Sequence, residues 1–375
     1  MESIGDRLAK ANWRPSGFDY LRIGLATLIV LQHAEAISIR QDPNLWETPL
    51  NGFLFALLPM FFALSGFLVT GSLLRSQTIA KFLGLRIIRI FPALVVEVIL
   101  SAFLIGPFVT TLSLHDYFTS PIFFKYFLNM IGDVQLFLPE TFKGNFIPYV
   151  NLQLWTIPFE LYCYISIAIF ALLGVKKWPI AAPILTVLSI TSYMLFHGIR
   201  HDWELGLTGG FGAPGIFLVF SFLAGVCFYI YKDKIPWSPA LFVASCVLVI
   251  IFGEFRDYKY AFWNYLYPFF ICYVTVFLGS SNKKRIKLIE TADYSYGMYL
   301  YHFVILQTLY YFLPITHHYF TMVFAGVPLV VIFAALSWHL IERPALGFRG
   351  KLDLWETRLL NIINARKAPK STASS

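Results

Sequence analysis

The stretch FDYLRIGLATLIVLQHAEAI, Phe18–Ile37, decides what kind of chain this is. It is long enough to cross a bilayer, which takes about 20 apolar residues, yet it carries Arg22 and His33. Eleven residues at about 100° each return to nearly the same helix face, and they rise roughly 16 Å along the axis. One face of the predicted helix therefore holds a fixed cation near one membrane surface and a titratable base deep toward the other. An arginine in hydrocarbon is costly unless it faces a polar interior, so such a residue reads first as functional. The plain alternative is a snorkelling arginine and a histidine hydrogen-bonded between helices.

The rest of the chain agrees with a membrane setting. Of 375 residues, 58% are hydrophobic and only 13% are charged, against about 25% charged in a soluble domain. Mean hydropathy is +0.66. Aromatic residues make up 18%, which suits lipid-facing helices with interfacial belts. The net charge of +8 lies in loops and tails, where it sets orientation and does not point to nucleic acid. Cys163, Cys227, Cys246 and Cys272 all fall in apolar runs and read as small buried hydrophobes. The opening MESIGDRLAKANWRPSG is basic and runs straight into the first span, so that span is expected to be an uncleaved anchor.

Ten runs are long enough to span: 17–38, 52–74, 91–111, 153–173, 180–198, 214–231, 238–254, 260–279, 294–313 and 320–340. With both termini inside, the inner segments carry 22 Lys and Arg and the outer loops 6. This asymmetry predicts ten transmembrane helices, N-in and C-in, in an all-α integral membrane protein. Residues 1–16 form an inner N-terminal segment, 17–343 the transmembrane domain and 344–375 an inner C-terminal tail, with no separate soluble domain. Region 112–152 is the exception. Its FFKYFLNMIGDVQLFLP would make an eleventh span, but that would put NKKRIK and the basic tail outside. An aromatic-rich outer segment, interfacial or re-entrant, is expected instead.

Beyond Arg22 and His33, three places carry chemistry. A neutral imidazole in an enclosed site can take a proton from a hydroxyl, and an arginine at the entrance can hold a phosphate. Arg86 and Arg89 in FLGLRIIRIFPAL share one helix face and sit with Lys81 and Arg75 in an inner basic cluster. That cluster is either a phosphate site or plain positive-inside charge. Glu160 in LWTIPFELYCYI is expected near the level of His33, where it could orient the imidazole, bind a sugar hydroxyl or be satisfied by neighbouring helices. His302 in ADYSYGMYLYHFVI follows Tyr296 and Tyr299 on a partly polar stripe. Glu97 has no local partner and no assigned role. Trp338, His339, Glu342 and Arg343 are expected to anchor the last span at the inner interface. No metal signature, Walker motif or GxGxxG occurs, and GGFGAPG at 209–215 falls in an outer loop.

Taken in order, these segments resemble the acyltransferase 3 family of integral membrane acyltransferases. LRIGLATLIVLQH resembles its Arg-x10-His signature at Arg22 and His33. PMFFALSGFLVTGSLL resembles its FFxLSGFL span, and RIIRIFP its RxxRIxP motif at Arg86, Arg89 and Pro92. LWTIPFELYCYI resembles its LWxxxxE segment, giving Trp155 and Glu160. SYGMYLYHF resembles SYxxYLxH, giving Ser295, Tyr299 and His302. The chain departs from the common pattern with FDYLR for LDGLR and HFV for HFP, and it lacks the hydrolase-like domain fused to some members.

The resemblance implies transfer of an acyl group, often acetyl, from cytoplasmic acyl-CoA to a hydroxyl of a glycan or related acceptor such as exopolysaccharide or O-antigen. It implies His33, Arg22 and Glu160 as catalytic residues and Arg86, Arg89 and Arg22 as contacts for CoA. Trp155, Glu160, Tyr299 and His302 would then face the acceptor. Acyl-CoA enters as a co-substrate, with no permanently bound cofactor and no metal. The expected setting is a bacterial inner membrane, with polysaccharide-assembly proteins as partners. His33 would act either as base or as a transient acyl carrier. Two rival readings use the same residues: a transporter of an anionic metabolite or lipid-linked glycan, and a structural subunit of an export complex.

Overall fold

The computed structural model describes residues 1–38, 51–174, 177–199, 215–254 and 261–367. The glycine-rich residues 209–214 and the polar end APKSTASS lie outside the described residues. Among the described residues the chain is all-helical, with no strand. The helices are α1 (Ile4–Lys10), α2 (Gly17–Ser38), α3 (Asn51–Arg75), α4 (Ile79–Leu100), α5 (Gly106–Val109), α6 (Leu114–Thr119), α7 (Pro121–Tyr126), α8 (Ile157–Leu172) and α9 (Ala181–Ile199). They continue as α10 (Gly215–Ile230), α11 (Pro239–Glu254), α12 (Ala261–Gly279), α13 (Lys287–Thr291), α14 (Ser295–Phe312), α15 (Tyr319–Ser337), α16 (Arg343–Leu346) and α17 (Arg349–Lys367).

Each of the ten apolar runs overlaps a helix, although α4 begins at Ile79, well before the run 91–111. Five helical stretches are long and apolar enough to cross a bilayer: Gly17–Ser38, Phe53–Arg75, Ile79–Val109, Leu152–Leu172 and Tyr319–Asn361. Four more apolar helices are shorter: Ala181–Ser192, Gly215–Ile230, Pro239–Phe252 and Tyr265–Gly279. Helix α14 is different in kind. It carries Tyr, His and Gln, and most of its length from Ser295 to Tyr310 is buried. Protein surrounds it, so it does not need an apolar surface for lipid.

The direction of α14 follows from its contacts. Arg22 of α2 meets Asp293, just before α14, at 3.1 Å. His33 of α2 meets His302 of α14 at 2.7 Å. Residue numbers rise together along both helices, so α2 and α14 run parallel. The amide of Gly17, opening α2, donates to Ser281 O just after α12, so α12 ends at the level where α2 begins. That level also holds the turn after α10, where α1 docks: Ile4 N–H donates to Ile235 O at 2.9 Å, and Arg7 lies 3.8 Å from the Trp237 ring centre. A reciprocal cap between Ser3 and Asp6 starts α1. The N-terminal segment is thus a fixed part of the fold.

Small residues let the helices close up. A Cβ on Gly66 of α3 would lie 2.0 Å from Phe222 O of α10, and one on Gly225 would lie 2.3 Å from Ala63 O. Between α14 and α15, a Cβ on Gly297 would sit 2.8 Å from Ala334 Cα. The four cysteines are free, three of them buried and Cys246 partly so.

Region 112–152 forms no continuous helix. After α6 and α7, the turn Phe127–Ile131 ends at Gly132, whose φ of +88° suits glycine alone. The chain then runs irregularly along α14. Asn145 Nδ2 donates to the Gln307 side chain at 2.6 Å, and Gln307 Nε2 donates to Tyr149 O at 3.1 Å and to Ile147 O. Irregular backbone at membrane depth needs such partners.

The C-terminal region differs from a plain tail. After α15 a wide turn over Trp338–Glu342 leads into α16 and then the 19-residue α17. Helix α17 folds back onto the start of α4: Lys81 pairs with Asp353 at 2.8 Å and Glu356 at 2.7 Å, and Glu356 also accepts from Thr78 N–H and Oγ. Glu342, expected to anchor the last span at the inner interface, is 2% exposed and neutralises Arg89 inside the bundle.

Candidate active site

Helix α2 presents two groups to α14, one at each end of their contact. At the far end lies His33, half-buried. Its Nδ1 is 2.7 Å from His302 Nε2, and the two ring planes lie within 24° of each other with centres 4.9 Å apart, so the rings meet nitrogen to nitrogen. Phe303 closes one side with its ring edge-on at 5.3 Å. His302 is 0% exposed. Its Nδ1 points at Tyr299 O at 2.8 Å and Met298 O at 3.2 Å, the carbonyls one turn back on its own helix.

At the near end the groups are ionic. Asp293 Oδ2 accepts from Arg22 at 3.1 Å and from Arg89 at 2.8 Å. Arg89 spends its other terminal nitrogen on Glu342 at 2.9 Å. Burial pushes the Asp293 carboxyl up, but Arg89 and Arg22 beside it and hydrogen bonds from Ser295 hold it at about 2. Asp293 thereby ties α2, α4 and the start of α14 together.

The RIIR pair divides in two. Arg89 is neutralised by Asp293 and Glu342. Arg86 has no carboxylate at ion-pair distance among the described residues. Its Nη2 reaches Ser72 Oγ at 3.5 Å, its Nε is buried without a partner, and its guanidinium lies 5.9 Å from the Tyr164 ring centre. Tyr164 donates its hydroxyl to Glu160, which brings that carboxylate to the ring that Arg86 faces. The described contacts of Glu160 thus put it with the arginines. Among the described residues the hydrogen bond to Glu160 comes from Tyr164, and the partner of the His33 ring is His302.

The other expected residues lie around the connector 151–156, a tight turn leading into α8. Tyr299 contacts it through its hydroxyl, 2.7 Å from Thr156 Oγ and 3.2 Å from Gln153 O. Trp155 is half-buried, edge-on to Phe159 at 5.9 Å. Glu97, unassigned from sequence, is 0% exposed and accepts from Ser101 at 2.6 Å and Asn151 at 2.5 Å. Gln153 donates to Asn151 Oδ1 at 3.1 Å and to Leu300 O at 2.5 Å. This buried chain of amides fastens α4 and the connector to α14 beside His302.

Sequence reasoning missed Asp293 and Glu342 as counter-ions and the pairing of the two histidines. A signal was present. Asp293 and His302 are nine residues apart and Arg22 and His33 eleven. At about 1.5 Å per residue these are nearly equal rises on two helices, as a parallel pair with matched ends requires.

The acyltransferase 3 family, described as an acyltransferase domain, matches residues 16–339. The chain belongs to this family and is an acyltransferase. It is also 27% identical over 343 residues to an O-acetyl transferase of Shigella phage Sf6, covering 87% of this chain and 94% of that protein. It is 27% identical over 364 residues to Nodulation protein 10 of Rhizobium leguminosarum bv. viciae, covering 90% of this chain and 95% of that protein. No solved structure matches. Together with its apolar helices, the family makes the chain an integral membrane protein.

Proposed function

We propose that the protein is an O-acyltransferase that moves an acetyl or similar acyl group from cytoplasmic acyl-CoA to a hydroxyl of a glycan or related acceptor. The observation that carries this reading is the half-buried imidazole of His33 on α2, the helix that also bears Arg22 at its ionic end, held by the buried ring of His302 on α14. His33 acts as the base for the acceptor hydroxyl. Arg86, the arginine of the RIIR pair with no carboxylate at ion-pair distance among the described residues, meets phosphate groups of CoA, with Arg22 lining the approach. Arg89 holds the carboxylates that fix this end. Trp155 and Tyr299 line the acceptor side. The phage relative's name supports acetyl as the group transferred.

The proposed topology is ten spans with both termini in the cytoplasm, in a bacterial inner membrane. Lys232, Lys283 and Lys284 fall at the end where α10 and α12 finish and α2 begins, which supports that orientation. Cysteine labelling from outside should mark His115→Cys and leave Lys284→Cys unmarked; the reverse pattern would turn the proposed topology over.

The function itself is tested by mass spectrometry of surface glycans from cells with and without the protein. Gain of one acyl mass per acceptor residue, dependent on the protein, is expected. An unchanged glycan pool, with no acyl-CoA consumed by the purified protein in the presence of that pool, would refute the reading.

A further inference from the structure

His302 has both ring nitrogens engaged, and the chemistry of its partners fixes where the protons are. A carbonyl oxygen only accepts. His302 Nδ1, facing Tyr299 O at 2.8 Å and Met298 O at 3.2 Å, therefore carries a proton. A neutral imidazole has one N–H, so His302 Nε2 is a bare acceptor. Whatever meets it at 2.7 Å must donate, and what meets it is His33 Nδ1. His33 Nδ1 then carries the His33 proton, and His33 Nε2 keeps its lone pair.

We propose that His302 is a positioning residue that locks His33 in the Nδ1–H tautomer, making Nε2 of His33 the reactive nitrogen, and that it shares the positive charge His33 acquires during transfer. The inference rests on the reading of His33 as the base. The roles do not reverse, because His302 is 0% exposed with both nitrogens occupied, whereas His33 is half-buried. This also moves His302 from the acceptor-facing group to a place behind the base. Phe303, edge-on at 5.3 Å, limits rotation of the His33 ring.

The step balances without any added reagent. His33 Nε2 takes the proton of the acceptor hydroxyl as its oxygen bonds to the thioester carbonyl carbon. The carbon–sulfur bond breaks, and the CoA thiolate leaves with the proton returned from Nε2. The products are the acyl ester and free CoA. While His33 holds the extra proton, its Nδ1–H points at the lone pair of His302 Nε2, as an acceptor behind a catalytic histidine should. A neutral ring in that position brings no fixed charge into the span, where a carboxylate would need its own compensation.

The test combines a spectroscopic and a kinetic reading on the full chain in liposomes. Nitrogen-15 NMR of histidine-labelled protein, assigned with His33→Ala and His302→Gln, should show His33 protonated at Nδ1 and bare at Nε2. His302→Leu should lower kcat roughly 10²- to 10³-fold, within the range for losing general-base catalysis, with both KM values within about twofold. His302→Gln, whose amide can accept from His33 and donate to Tyr299 O, should recover at least about tenfold of that loss. Finding wild-type His33 protonated at Nε2 overturns the inference, and so does a His302→Leu protein that turns over at the wild-type rate. If His33→Ala itself transfers normally, the base assignment fails instead. The tautomer measurement needs no turnover and still judges the pair, and it does not depend on the leucine variant folding.

Discussion

The two ends of the α2–α14 contact solve opposite problems. At the Arg22 end, two arginines and two carboxylates, Asp293 and Glu342, cancel within one cluster. At the His33 end two rings meet with no ion pair among the described residues, and one of them is half-buried. Charge inside a bilayer has to be matched, and matched charge is poorly placed to react. A neutral imidazole can be held at depth and still have a lone pair to use. The contrast assigns structure mainly to the first end and chemistry to the second, with Arg86 as the exception at the ionic end.

The contrast breaks most visibly if the ionic end is not structural. Asp293→Ala removes the shared partner of Arg22 and Arg89 and should cost about 3 kcal/mol, the scale for breaking a buried pair. Thermal unfolding in detergent would read this, and a loss below about 1 kcal/mol would mean the cluster is a surface feature. Arg86 sharpens the contrast from the other side. Arg86→Ala should leave unfolding nearly unchanged and weaken acyl-CoA binding about tenfold, about 1.4 kcal/mol. The loss should shrink at high salt, and Arg86→Lys should recover it in part, since lysine lacks the planar fork. Equal binding by wild type and Arg86→Ala at every ionic strength would leave the RIIR segment as a topology signal.

The smallest expected effect concerns pH. The folded Asp293 carboxyl is held at about 2, below the ordinary value of about 3.9. A depressed value gives stabilisation that is complete above the ordinary value and is lost as pH falls through about 2. Unfolding curves should therefore show no change from the Asp293 carboxyl itself between pH 5 and pH 8, and weakening from it only in strong acid. A loss of stability near neutral pH that disappears in Asp293→Asn would contradict the geometry.

Much of this was legible in the sequence because each membrane helix announces itself by its own apolar length. The Arg22–His33 spacing put both groups on the face of α2 that meets Asp293 and His302, and FFKYFLNMIGDVQLFLP, set aside as an eleventh span, forms the end of α7 and a short turn without one continuous helix. What stayed hidden was which helices touch. Asp293 and Glu342 lie far along the chain from Arg22 and Arg89, and nothing local pairs them. Glu160 was placed by depth alone, and Tyr164, one turn further along α8, donates to it while facing Arg86. The C-terminal segment has the look of a charged tail, yet Asp353 and Glu356 fit Lys81 and fold it back as α17.

The central claim is that His33 performs the transfer while the arginine end holds the donor. The most direct measurement is acyl transfer and acyl-CoA binding by His33→Ala, side by side on the same purified, folded preparation. Transfer should fall at least about 10²-fold, the usual weight of a general base, while acyl-CoA binding stays within about twofold of wild type. Transfer at close to the wild-type rate in that variant would contradict the account.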